Sequence, residues 1–267
     1  MSIVDKEQRL TNCWHCLTCV QSPVPCPHCS GVVFCSTACR DSALNTYHPC
    51  ECGYTDLLYQ ANLGAWHLAF RVLTSRPWSW WSEDIDQWLG HDEKMGVQTR
   101  DETVYRSEDI KTFHNLVTHD GGDHKQAPEL MMQCHVVVFL VRLLTQVGYL
   151  SAGDSGEFSD ESIKCGRILH HLMRAAYYNT HETTHLLSQP DFSQSTAVRI
   201  GRQTNPSLAL INHSCDPNYR RVSRGTVTYG FATKPISKFD TFSYLYTTTV
   251  KDDIENYDQQ TSTLTSF

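Results

Sequence analysis

"CWHCLTCVQSPVPCPHCSGVVFCSTACRDSALNTYHPCEC" spans residues 13–52, and its spacing decides how the rest of the chain is read. Of the twelve cysteines, those at 13, 16, 19, 26, 29, 35, 39, 50 and 52 lie in this stretch, and only Cys134, Cys165 and Cys215 follow it. The pattern is C-x2-C, C-x2-C, C-x3-C and then His48-x3-Cys52. Such short gaps let both members of a pair face one ion. Four pairs supply eight ligands, and zinc takes four in a tetrahedron, so the stretch implies two structural zinc ions. A segment so short and so rich in Pro and Ser buries little core, and metal binding is expected to supply most of its stability, about 10–16 kcal/mol per site in comparable fingers. The alternative is a disulfide cluster. No apolar N-terminal segment resembles a secretion signal, so the cysteines are expected to be reduced, in cytoplasm and/or nucleus.

The 267 residues allow one large domain or a main domain with a satellite, and 40% apolar content suits a folded core. Net charge is −7 with no run of Lys or Arg, which argues against direct nucleic-acid binding. The most apolar run, "VVVFLVRLL" (136–144), is too short to span a bilayer and carries Arg142, so no membrane partner is expected.

Beyond the cysteines, residues 55–75 place Leu57, Leu58, Ala61, Ala65, Leu68, Ala69 and Val72 at helical spacing, and Pro77 stops the pattern. Two more helices are expected over 129–150 and 160–178. Trp78, Trp80, Trp81 and Trp88 are read as packing a loop onto the domain. "HDGGDHKQAP" (119–128) is read as a loop, its His119, Asp120, Asp123 and His124 as a solvated turn. Residues 222–246 alternate as short strands broken by "SRG" and "KPISKFD", and the polar tail 251–267 is expected to fray. Ahead of those strands stands "NHSCDPN" (212–218), which by itself is either an Asx/Pro turn or a set of polar groups at a strand end.

The cysteine stretch resembles a MYND zinc finger, and after such a finger "NHSCDPN" resembles the signature of a SET methyltransferase domain. The order of the two is that of the SMYD family, and the middle, from "YRSEDIKTFHNLVTH" (105–119) to "NTHE" (179–182), is most similar to its fourth, divergent branch. The resemblance implies an α+β fold: small SET-type β-sheets with an inserted finger and a helical insert. It divides the chain into an N-terminal strand remnant (1–12), the finger (13–52), the helical insert (53–178), the C-terminal half of the SET domain (179–250) and a flexible tail (251–267). It pairs the ligands alternately, with Cys13, Cys16, Cys35 and Cys39 on one zinc and Cys26, Cys29, His48 and Cys52 on the other. Cys19 and Cys50 are spare, and His28 faces solvent. It further implies that Asn179, Asn212 and His213 bind S-adenosylmethionine, and that Tyr246 is the catalytic tyrosine, with Tyr244 two residues earlier on the same face. Cys215 has no covalent step to perform and is read as a buried packing residue.

The implied activity is methyl transfer from S-adenosylmethionine to a lysine of a protein or peptide substrate. Three departures from the family pattern keep a second reading open. No glycine precedes Gly31, where a Gly-x-Gly turn is expected; no cysteine follows Cys215, where a third zinc site is expected; and Phe239 stands where a glycine is expected. The chain is accordingly expected to be incomplete at both ends. The second reading is a catalytically degenerate scaffold whose finger binds proline-rich peptides.

Overall fold

Gly201 explains how the first strand reaches the sheet. A Cβ at that position would stand 2.1 Å from the carbonyl oxygen of Ile3, so only glycine permits the approach. The computed structural model describes residues 1–83, 85, 113, 116, 118, 127–153, 157–188 and 195–246. Trp88, His119, Asp120, Asp123, His124 and the tail 251–267 lie outside the described residues.

Strand β1 (Ser2–Val4) pairs antiparallel with one strand of a long hairpin. The finger follows, with the short ribbon β2 (Val24–Pro25) and β3 (Val33–Phe34), helix α1 (Thr37–Leu44) and the single turn α2 (His48–Glu51). The helical insert then comprises α3 (Thr55–Gln60), α4 (Trp66–Thr74), α5 (Trp78–Glu83), α6 (Ala127–Gln146) and α7 (Asp160–Asn179). Strands β4 (Thr180–Ser188) and β5 (Ser195–Thr204) form the long hairpin, with β5 central in the order β1-β5-β4. Last come the turn α8 (Pro206–Ala209), β6 (Asn212–His213), the hairpin β7 (Tyr219–Arg224) and β8 (Val227–Ala232), and β9 (Ser243–Tyr244). The small sheets and inserted helices are of the expected α+β class.

Helix α7 shows how local sequence makes these elements. Ser159 caps it by accepting the amide of Ser162, and Asp160 and Glu161 follow in the first turn, where the helix dipole favours acid. Its apolar stripe, Ile168, Leu169, Leu172, Met173 and Ala176, is buried in one core with α4 and α6. Each fully buried aliphatic side chain there contributes about 1.5–3 kcal/mol. Trp81 is wholly buried in that core and its indole donates to the Leu73 carbonyl at 2.8 Å, so the described tryptophans pack as expected. A second core belongs to the finger, with Trp14, Leu17, Val32, Phe34 and Tyr47, and it is completed by Val4 of β1 and Ile200 of β5. The finger therefore shares its core with the sheet.

Three expectations are corrected, and one element is additional. The helix over 55–75 is two helices, because Asn62 takes a left-handed φ of 48° between them. The helix over 129–150 starts at Ala127 and ends at Gln146, ahead of the turn at Gly148. The apolar run within it belongs to a 19-residue stretch, Pro128–Gln146, long and apolar enough to cross a membrane, with 33% of the tested window buried against the protein. The β4–β5 hairpin was not foreseen: its strands "THETTHLLS" and "STAVRIGRQT" are carried by Thr and Val with little apolar alternation.

Candidate functional site

Each pair in the finger is set by a different local device. The turn from Cys13 to Cys16 closes through Leu17, which takes a φ of 63° while its side chain is fully buried. Asn12 holds that turn by donating its side-chain amide to the Leu17 carbonyl at 2.8 Å. Ser36 caps α1 by accepting the Cys39 amide, which fixes Cys35 just before the helix and Cys39 in its first turn. Turn α2 begins at His48, and Cys52 follows it directly.

These devices bring together Cys13, Cys16, Cys35 and Cys39 in one group, and Cys26, Cys29, His48 and Cys52 in another. Within each group the donor atoms all lie within 4.8 Å of one another. A tetrahedral zinc with Zn–S bonds of about 2.3 Å has S···S edges of about 3.8 Å. Cys16–Cys35 is 3.5 Å, Cys35–Cys39 is 3.6 Å and Cys26–Cys52 is 4.0 Å. His48 Nε2 lies 3.3 Å from Cys26 Sγ and 3.6 Å from Cys29 Sγ. All twelve cysteines are free thiols, so the disulfide alternative is not realised. The two groups fit two zinc ions in both geometry and donor chemistry.

Hydrogen bonds within each group spread its thiols apart in acidity. The Cys13 thiol, donating to Cys16, pulls Cys16 down to about 4, against the effect of burial. Burial pushes Cys26 up, but the His28 amide and His48 outweigh it and bring the thiol to about 7. In the same groups burial pushes Cys39 up to about 11 and Cys52 up to about 12. Cys19 is exposed, and Cys50 is buried in the helical core with its thiol pushed up to about 12 by burial. His28 is exposed, as expected.

The heptapeptide lies elsewhere. Strand β6 pairs in parallel with β9, Asn212 opposite Ser243 and His213 opposite Tyr244. Asn218 locks the pairing, accepting the Ser243 amide at 3.0 Å and donating to the Thr241 carbonyl at 2.9 Å. Beyond β9, the Tyr246 amide donates to His213 Nδ1 at 3.1 Å, so the neutral ring carries its proton on Nε2. The Tyr246 phenol donates to the Ile211 carbonyl at 2.9 Å, and its ring stands edge-on to His213 at 5.0 Å. Tyr244 is the buried member of the pair, 5% exposed against 47% for Tyr246. The Tyr244 hydroxyl meets His181 Nε2 at 2.6 Å.

The residues expected to bind cofactor are placed unequally. His213 stands among the tyrosines; Asn212 is exposed at the strand end. Asn179 is buried at the end of α7, where its amide donates to the Ala175 carbonyl at 2.8 Å. Strand β4, which starts next to it, delivers His181 to Tyr244. Cys215 is corrected: it is exposed, because the chain turns outward at Asp216–Pro217, and its sulfur lies 3.5 Å from His213 Nε2. A cavity of about 210 Å³ between β1, the α3–α4 turn and β5 is lined by residues of neither site.

His181 and Glu51 are the functional candidates that the sequence reading missed. Burial drives His181 down to about 4, with Arg221 adding to the effect, so it is neutral at pH 7. Glu51 is fully buried; burial pushes its carboxyl up, but Arg71 and His67 outweigh that and hold it well below the usual carboxylate range.

With this geometry in hand, comparison with known proteins is informative. The chain is 28% identical to protein-lysine N-methyltransferase SMYD4 of Gallus gallus over 281 residues, covering 86% of the chain and 37% of that protein. It is 25% identical to protein-lysine N-methyltransferase SMYD4 of Danio rerio over 236 residues, covering 78% of the chain and 30% of that protein. These matches support SMYD family membership. No family model matches the chain. The chain spans about a third of the length of the curated relatives it matches.

Proposed function

We propose that this chain carries the core of a SET/MYND-type protein-lysine methyltransferase, moving a methyl group from S-adenosylmethionine to a lysine side chain of a protein or peptide. The parallel pairing of β6 with β9 carries the reading, since it sets Tyr244 and Tyr246 against His213 from positions more than thirty residues away. The domain division at 13–52, 53–178 and 179–250 is proposed with it, supported by the separate finger and helical cores. Twelve free thiols favour cytoplasm and/or nucleus.

The residues present fit one half of a cofactor site: a strand end with the exposed Asn212 amide, beside a wall of Tyr219, Tyr244, Tyr246 and His213 rings. S-adenosylmethionine, when bound, supplies a methyl group activated on a sulfonium. The protein's own part is positioning and desolvation. Tyr246 has committed its hydrogen to Ile211, so its oxygen lone pairs are left to accept an N–H from an incoming amine. Exclusion of water around the amine, rather than contact with the ring faces, would favour the neutral form that attacks. His181 holds the Tyr244 phenol in a fixed rotamer.

Tyr246→Phe is expected to lower methyl transfer by ~10²-fold or more, as for loss of one aligned polar group in a transition state, while thermal stability barely changes. Radiometric transfer to a lysine-containing peptide array reads it. Unchanged transfer by Tyr246→Phe with loss in Tyr244→Phe would move the role to Tyr244. The exposure of Asn212 and Tyr246 favours a second reading, a scaffold that binds proline-rich peptides at the finger. No transfer by the wild type, with such a peptide bound at the finger, would select it.

A further inference from the structure

Turn α2 carries a residue whose surroundings go beyond structural support. Glu51 is wholly buried, and the donors around it come from helix α4 and from the first ligand loop. Its Oε1 accepts Arg71 Nε at 2.7 Å and faces His67 Nε2 at 2.8 Å, both from α4. Its Oε2 accepts the Trp14 indole at 2.8 Å, from the loop between Cys13 and Cys16, and Arg71 Nη2 at 3.0 Å. Arg71 also donates to the carbonyls of Ser2 and Trp14, and its guanidinium lies over the Trp14 ring at 4.4 Å and the Tyr47 ring at 4.2 Å.

Three residues before Glu51 in the same turn stands His48. Its Nε2 faces the sulfurs of Cys26 and Cys29, so Nε2 must offer its lone pair to a metal and Nδ1 must then carry the ring proton. That Nδ1 is buried and makes no hydrogen bond. The nearest charge is Glu51 Oε2, at 3.9 Å. This distance is too long for a hydrogen bond, yet it discriminates between tautomers. In a site shielded from water, an N–H pointed at a carboxylate is attracted, whereas a lone pair in the same place is repelled.

The structure assigns to Glu51 the role of positioning residue for the second zinc site: its carboxylate, clamped by Arg71, His67 and Trp14, holds His48 in the Nε2-ligating tautomer and ties that site to helix α4. Partners of this kind around metal-bound histidines set ring orientation and affinity. Trp14, from the first site's ligand loop, donates to the same carboxylate and so helps to fix it beside His48.

The test uses the zinc-loaded full chain. Long-range ¹H–¹⁵N correlation is expected to show His48 protonated on Nδ1 with Nε2 at the shift of a metal-bound nitrogen; a proton on Nε2 would overturn the assignment. In competition with a chromophoric chelator, Glu51→Gln is expected to loosen one of the two zinc ions by about 10–100-fold and leave the other unchanged. Equal retention of both ions by the variant would also overturn it. Should Glu51→Gln fail to fold, Glu51→Asp is read in the same competition, and equal retention of both ions by that variant would overturn the role. A wild-type zinc content near zero would overturn both this role and the metal sites, and would be distinguished by metal analysis before the titration.

Discussion

The finger and the heptapeptide site are both built from polar residues, but they are finished to different degrees. In the finger the ligand groups are closed, and the turns that hold them are capped or stapled by Asn12 and Ser36. Around the heptapeptide, Asn212 and Cys215 are exposed and Tyr246 is half open to solvent. The reason is range. Four metal ligands collected within 40 residues need only local turns and an ion, whereas the second site needs Asn212 beside Ser243 and His181 against Tyr244. A metal site closes locally around its ion, whereas the second group depends on strands brought together over long range.

The largest effect expected from breaking this contrast lies in the finger. Cys35→Ser should release zinc and unfold the finger, while Cys19→Ser should leave two zinc ions per chain, because Cys35 is in a ligand group and Cys19 is exposed outside both. Metal analysis and circular dichroism read both variants, and a worse outcome for Cys19→Ser would contradict the pairing.

A second, smaller effect is specific to the other site. His181 has a folded-state value of about 4 against an ordinary 6.5, so the unfolded chain binds the proton more readily. Stability is therefore full above about 6.5 and falls as the pH drops toward 4, by about 3 kcal/mol for this one group. Arg221, whose guanidinium lies over the Tyr244 ring at 5.5 Å, adds to the cost of charging it. Denaturant titrations across that window should show a shallower slope for His181→Phe than for the wild type; parallel slopes would mean that His181 is charged or solvated in the folded protein.

The smallest effect concerns Phe239, which takes a φ of 78° with its side chain 92% exposed. A bulky residue there is strained and its ring meets the Lys238 ammonium at 5.0 Å in an exposed contact too weak to offset the strain, so Phe239→Gly should stabilise by about 1 kcal/mol without altering zinc content. A loss of stability on chemical denaturation would show that the ring has a partner in solution.

What could be read from the sequence follows the same division. Spacing showed that ligand pairs were present and the family resemblance chose the eight donors among them, while the glycine that the resemblance expects at 239 matches the conformation that Phe239 adopts. Arg71 was not legible, since an arginine in "WHLAFRVLT" reads as a side chain reaching water, and nothing local says that Glu51 waits twenty residues upstream. His181 was hidden for the same reason, its partner being 63 residues away. The burial of Cys215 was misjudged because an apolar residue type was weighed without the outward turn that follows it.

Calorimetric titration of the zinc-loaded chain with S-adenosylmethionine tests the central claim most directly. The account predicts one weak site per chain, abolished in Asn212→Ala, because that amide would otherwise meet buried polar groups of the ligand. Undiminished binding in Asn212→Ala, or no binding by the wild type at millimolar cofactor, would contradict it.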